Sequence, residues 1–186
     1  PDFYVLKTKL LLDQEKSADA ATAALTAMKL SPRTVPAILK ISEDFYLREA
    51  KTVYTKAIEL GSREVLPYLG MGNIALHYRD LAEAEKWFGQ AKQLQPEHPA
   101  VLLAWGRLLL ARNEPEKAQE FLEQSRSKGE DSSTLYGALG DVYFKLKAWD
   151  KAAENYKQAL QNRRRNIDWR RSMGIALAQE GRKKEA

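Results

Sequence analysis

The 186-residue chain contains no cysteine and only two histidines. The first absence excludes disulfides and thiolate metal sites, and it leaves no redox compartment to read. The second leaves little from which to build a catalytic or metal centre. His77 falls near the end of a helical stretch and His98 at a junction between two, and neither has a ligand partner at helical spacing. No apolar run is long enough to cross a bilayer. The longest, VLLAWGRLLLA at 101–111, is short and interrupted by Arg107. Pro1 is not a natural start and no signal-peptide pattern follows it, so the chain is expected to be a piece of a longer one. Phosphate loops are missing as well. The glycine pairs in LGMGN and GALGD lie inside helical stretches, without the preceding strand and glycine-rich turn such loops need. The acidic residues are scattered as i,i+4 partners of Lys and Arg, as in DLAEAEKW and WDKAAENYK, with no sign of a pocket shared by two carboxylates. Neither an enzyme nor a cofactor is expected.

What remains is a globular composition, 44% hydrophobic and 30% charged. The net charge of +5 is unevenly placed. Residues 1–160 carry 22 basic and 22 acidic side chains, whereas residues 161–186 carry eight basic against three acidic. The whole excess therefore lies at one end.

The chain has an internal period. Gly72, Gly106, Gly140 and Gly174 recur every 34 residues, each inside an apolar helical run, and Ala84, Ala118, Ala152 and Ala186 follow at a constant offset of 12. A glycine inside a helix costs about 1 kcal/mol relative to alanine, so its recurrence requires a reason. Small residues at both points indicate that two helices cross closely there. Large residues such as Tyr136, Leu139, Tyr143 and Tyr156 then fill the space on either side. A fixed period of this length built from two amphipathic helices marks a stacked helical array.

On these residues the sequence resembles the tetratricopeptide repeat family, whose pattern is W-x2-L-G-x2-Y followed by Ala, Phe, Ala and Pro. The 65–98 repeat reads Tyr68, Met71, Gly72, Ala75, Ala84, Phe88, Ala91 and Pro96. The 99–132 repeat reads Leu102, Trp105, Gly106, Leu109, Ala118 and Leu122, with Ser125 and Glu130 in place of the last alanine and proline. The 133–166 repeat reads Tyr136, Leu139, Gly140, Tyr143, Ala152, Tyr156 and Ala159, with Arg164 in place of proline, and the 167–186 stretch carries Met173, Gly174 and Leu177. Residues 1–34 fit as a degenerate repeat through Tyr4, Leu11, Ala20, Ala24, Ala27 and Pro32. From Ala20 to Ala50 is only 30 residues, so the 35–64 repeat lacks about one helical turn, expected within PAILKISEDFYL, and the stack should bend or twist differently near 35–47. The resemblance implies an all-α, right-handed superhelical solenoid of antiparallel helix hairpins, about five and a half repeats in one array over residues 1–186.

The resemblance also implies a function. First helices of successive repeats line a concave groove in this family, and its groove positions carry over to Leu66, Leu69, Asn73, Leu76 and His77, then Ala100, Leu103, Arg107, Leu110 and Ala111, then Thr134, Gly137, Asp141, Phe144 and Lys145. Asn73 matches the asparagine with which some members grip a terminal carboxylate, but Leu69 stands where their lysine belongs, which argues against that clamp. The expectation is a protein–protein interaction scaffold that takes a peptide, helix or partner subunit along an apolar strip bordered by Asn73, Arg107 and Asp141. Alternatively the strip is packing between adjacent first helices. Two other functions stand beside this one. An assembly or export component could self-associate, its C-terminal face of Trp169, Met173 and Leu177 lacking packing partners. The basic patch Arg163, Arg164, Arg165, Arg170 and Arg171, with Trp169, could touch nucleic acid. The second is disfavoured, because the neutral remainder offers no basic track and the arginines fit an inter-repeat turn with Trp169 packed between helices.

Overall fold

The computed structural model describes residues 1–41 and 47–181, the side chain of Asn162 apart. Every regular element among them is helical. The residues group by their internal packing into two compact units, Pro1–Gln95 and Pro96–Ala186. Ala186 and residues 42–46 of the segment expected to absorb the missing turn lie outside the described residues.

The first unit runs through α1 (Asp2–Asp13), α2 (Ser17–Leu30), a 3₁₀ turn at Pro32–Thr34, α3 (Val35–Lys40), α4 (Leu47–Glu59), α5 (Val65–His77) and α6 (Leu81–Leu94). At six residues α3 is about half the length of its neighbours. The core is built from small residues on α2 (Ala20, Ala24, Ala27) against Ile38 and Leu39 of α3 and Val53 and Tyr54 of α4, all buried. Asp80 caps α6 by accepting from the Glu83 backbone N–H at 3.0 Å.

The second unit comprises α7 (Pro99–Ala111), α8 (Pro115–Ser127), α9 (Ser133–Lys145), α10 (Trp149–Asn162) and α11 (Ile167–Gln179). Helix starts carry legible signals. Pro99 and Pro115 open α7 and α8, where the missing N–H has no intrahelical partner to lose. Ser132 caps α9 through the Leu135 N–H, and Asn166 caps α11 through the Trp169 N–H. His98, at the junction of two helical stretches, caps α7, its Nδ1 accepting from the Ala100 N–H at 3.2 Å. The Ser125 hydroxyl, where the family has alanine, is fully buried and donates to the Pro99 carbonyl at 2.8 Å, so the polar replacement is satisfied. Tyr143 joins α9 to α8, donating to Glu123 at 2.7 Å. Burial and then that bond push its hydroxyl pKa up to about 12.

At Gly72, Gly106 and Gly140 the nearest neighbours are large side chains. A Cβ placed on Gly72 would collide with the Phe88 ring, on Gly106 with Leu122 at 2.5 Å, and on Gly140 with the Tyr156 ring at 2.6 Å. At Gly106 the alanine's own backbone (the Ala118 carbonyl, 3.3 Å) also crowds the position. The helices of each hairpin do approach closely, but each glycine is a socket for the ring or leucine 16 residues on. Two further glycines receive neighbouring repeats: Gly70 takes Tyr54 and Gly137 takes Trp169.

A second period appears at the turns. Arg79, Asn113, Lys147 and Gly181, again 34 apart, hold positive φ of 60°, 63°, 58° and 80°. Glu15 does the same at 58° between α1 and α2. At these turns the left-handed residue reverses the chain so that the next N–H reaches back five residues, as from Asp80 to Ala75, Glu114 to Leu109 and Ala148 to Tyr143, each at 2.9 Å.

Candidate functional site

In the second unit α7, α9, α10 and the start of α11 enclose a concavity of about 640 Å³ lined by Leu110, Ala111, Asp141, Phe144, Lys145, Lys147, Trp149, Tyr156 and Ser172. Helical spacing explains the clustering. Asp141, Phe144 and Lys145 lie three to four residues apart on one face of α9. Leu110 and Ala111 occupy the matching end of α7, one repeat earlier. Leu110 and Phe144 are half-buried. Each packs against the unit's buried cluster and also faces the concavity.

Its walls are aromatic. Phe144 meets Trp149 edge-on at 5.3 Å between centroids and Tyr156 at 6.5 Å. Its polar floor is Asp141, whose Oδ1 accepts from the Tyr156 hydroxyl at 2.8 Å. Ser172 hydrogen-bonds the same phenol. Burial raises the Asp141 pKa above the ordinary carboxylate value, against the opposing effects of the Tyr156 bond and the Lys145 charge. Burial and the Asp141 charge hold the Tyr156 hydroxyl well above the ordinary tyrosine range, so it stays a donor. Lys145 is turned aside, its Nζ donating to Asn113 Oδ1 at 2.8 Å.

The structure therefore gathers Leu110, Ala111, Asp141, Phe144 and Lys145 of the expected groove residues at one place. Leu103 is half-buried against the unit's core. Burial, followed by the charge of Arg163, lowers the pKa of Arg107. Gly137 is covered by Trp169. In the first unit Leu66 and Leu76 are half-buried, while Asn73 and His77 are exposed, the latter with its ring edge-on to Tyr78 at 5.2 Å. Leu69 does not fit the expectation. It is 5% exposed, on a helix packed against both α4 and α6, and so offers a partner no surface. Lys147, Trp149, Tyr156 and Ser172 were missed, because they come from a turn, a second helix and the next repeat rather than from groove positions.

The basic residues form a separate feature. Arg163, Arg164 and Arg165 are exposed in the α10–α11 turn and line an open hollow of about 680 Å³ with Gln161 and Asn166. Arg170 donates to the Arg164 carbonyl, and Arg171 stands 3.7 Å from Asp168. The Trp169 ring is half-buried and packs against α9 at Gly137.

Two family models, each described as tetratricopeptide repeat, match residues 75–142 and 133–166. Residues 75–166 carry tetratricopeptide repeats. Tetratricopeptide repeat folds recur among the solved structures this chain resembles. It matches the APC/C hetero-tetramer Cut9–Hcn1 at 19% identity and TM-score 0.78, over 95% of this chain and 36% of that one. It therefore spans about a third of that relative's length. It matches PilF of Pseudomonas aeruginosa at 22% identity and TM-score 0.73, over 99% and 85%. It also matches YrrB, described as a tetratricopeptide repeat protein with an unusual peptide-binding site, at 20% identity and TM-score 0.56, over 87% and 85%. At these identities the likeness shows the fold alone, an all-α helical repeat solenoid. Among the described residues no helix is long and apolar enough to cross a membrane.

Proposed function

We propose that this chain is a protein-interaction scaffold and that the concavity bounded by α7, α9, α10 and α11 receives a peptide or helix of its partner. The observation that carries the reading is the convergence of five groove positions on one aromatic-walled hollow large enough for one or two side chains. The half-exposed faces of Leu110 and Phe144, with Trp149, supply apolar anchorage, the term that dominates most interfaces. Asp141 and the lysines beside it set orientation and partner choice. The peptide-binding site of YrrB is a precedent on this fold.

Ala111 provides the test, because it is exposed at the rim and touches the hollow without supporting the core. Peptides selected from a displayed random library on the parent protein should bind the Ala111→Trp variant at least about tenfold more weakly, with melting unchanged. Equal binding to parent and variant would remove the concavity from the function.

A further inference from the structure

The polar floor of this hollow is unusual for its setting. Asp141 stands among Phe144, Trp149, Tyr156 and Leu110, and its hydrogen-bond partner is the neutral Tyr156 hydroxyl. Among the described residues no Lys or Arg forms an ion pair with it. Lys145, on the next turn of the same helix face, is occupied by Asn113. A half-buried carboxylate without an ion-pair partner, bordered by aromatic side chains, is complementary to a cation carried on an apolar stem. The rings attract such a cation through their quadrupoles and the carboxylate through a charge-assisted hydrogen bond.

We propose that the concavity selects partner segments by a single basic side chain, Arg or Lys, whose stem lies against Phe144 and Trp149 and whose charged head reaches Asp141. The proposal rests on the partner-binding reading of the same hollow. Lys145 and Lys147 at its edge restrict the demand to one cation, since a run of basic residues would meet like charge there. The surrounding partner residues should be apolar or acidic. Tyr156 ties the selection to the fold: the phenol that orients Asp141 is the one whose ring fills the Gly140 socket, so the carboxylate is positioned by the hairpin's own packing.

The test uses a displayed library of random dodecamers selected on the whole chain and screened against Ala111→Trp to retain binders that need the hollow. These should share one fixed Arg or Lys. In synthetic copies, replacing that residue with norleucine should weaken binding to the parent by about 10- to 100-fold, the range for a hydrogen bond to a charged group. In Asp141→Asn, which keeps an acceptor for Tyr156, the same replacement should cost less than about threefold. Tyr156→Phe should weaken the basic peptide while leaving its norleucine copy unchanged. Hollow-dependent binders with no fixed basic residue, or a norleucine penalty equal in parent and Asp141→Asn, overturn the selectivity and leave the binding surface standing. If no peptide is sensitive to Ala111→Trp, or none is selected at all, both fall together.

Discussion

Replacing Gly140 with alanine sets two known effects against each other. Alanine is the better helix former by about 1 kcal/mol, so on local grounds the change stabilises α9. The added Cβ would lie 2.6 Å from Cδ1 and Cε1 of Tyr156, about 1 Å inside a normal carbon–carbon contact. Tyr156 cannot easily yield. It is 1% exposed and its hydroxyl is held by Asp141 at 2.8 Å. Overpacking of this kind costs about 1–3 kcal/mol, and swinging the ring away loses a hydrogen bond worth about 1 kcal/mol more. The sum predicts a net loss of about 1–3 kcal/mol, or roughly 2–4 °C in melting temperature for each of those kcal/mol. Gly89 is the control. It also lies inside a helix, α6, but nothing stands within 4 Å of its added Cβ, so Gly89→Ala should gain up to about 1 kcal/mol. Because repeat arrays need not unfold in one step, the melts should be paired with amide exchange on α9 and α10. In a Tyr156→Ala background the Gly140→Ala penalty should largely disappear, since no long side chain then fills the socket. A Gly140→Ala protein that melts at or above the parent would refute the socket.

Asp141→Asn should stabilise the chain near neutral pH, measured by denaturant melts across pH. Burial, opposed by Tyr156 and Lys145 and reinforced by the Asp168 charge, raises the folded-state pKa of Asp141. The folded state thus binds the proton more tightly, and ionisation lowers stability as pH rises through the window above about pH 4. The advantage of asparagine should therefore be full at pH 7 and vanish below that value; an advantage independent of pH would contradict the assigned cause. Arg79→Gly should stabilise the first unit by about 0.5–1 kcal/mol, because the exposed Arg79 holds a φ of 60° that glycine adopts without strain. Denaturant melts showing a loss would mean that the Arg79 side chain contributes more than its backbone strain costs.

The hairpin array was legible because two physical demands recur at fixed intervals. Gly72, Gly106 and Gly140 stand out where a helix interior penalises glycine, and the amphipathic runs on either side complete the pattern. What the glycines face was less legible, since a steric socket couples residues 16 apart and the constant alanine at offset 12 drew the eye. The turn period was missed entirely. Arg79, Asn113 and Lys147 share a left-handed backbone and no side-chain chemistry, because the conformation is imposed by closing the hairpin rather than requested by the residue. At the site, Asp141, Phe144, Lys145 and Leu110 could be reached by carrying positions along first helices. Trp149 and Tyr156 could not, since both come from the second helix α10 and Tyr156 reads as core until its hydroxyl is seen at Asp141. Leu69 erred in the opposite direction. Position alone cannot tell a groove face from one covered by a neighbouring helix.

If partners are received in the hollow of the second unit, amide and indole ¹H–¹⁵N correlations recorded while titrating a library-selected peptide should show it. The largest shifts should fall on Leu110, Ala111, Asp141, Phe144, Lys145, Ser172 and the Trp149 indole, with α1 to α4 unmoved. Shifts centred on the arginine turn at 163–165 or on the first unit, with the Trp149 indole unchanged, would contradict it.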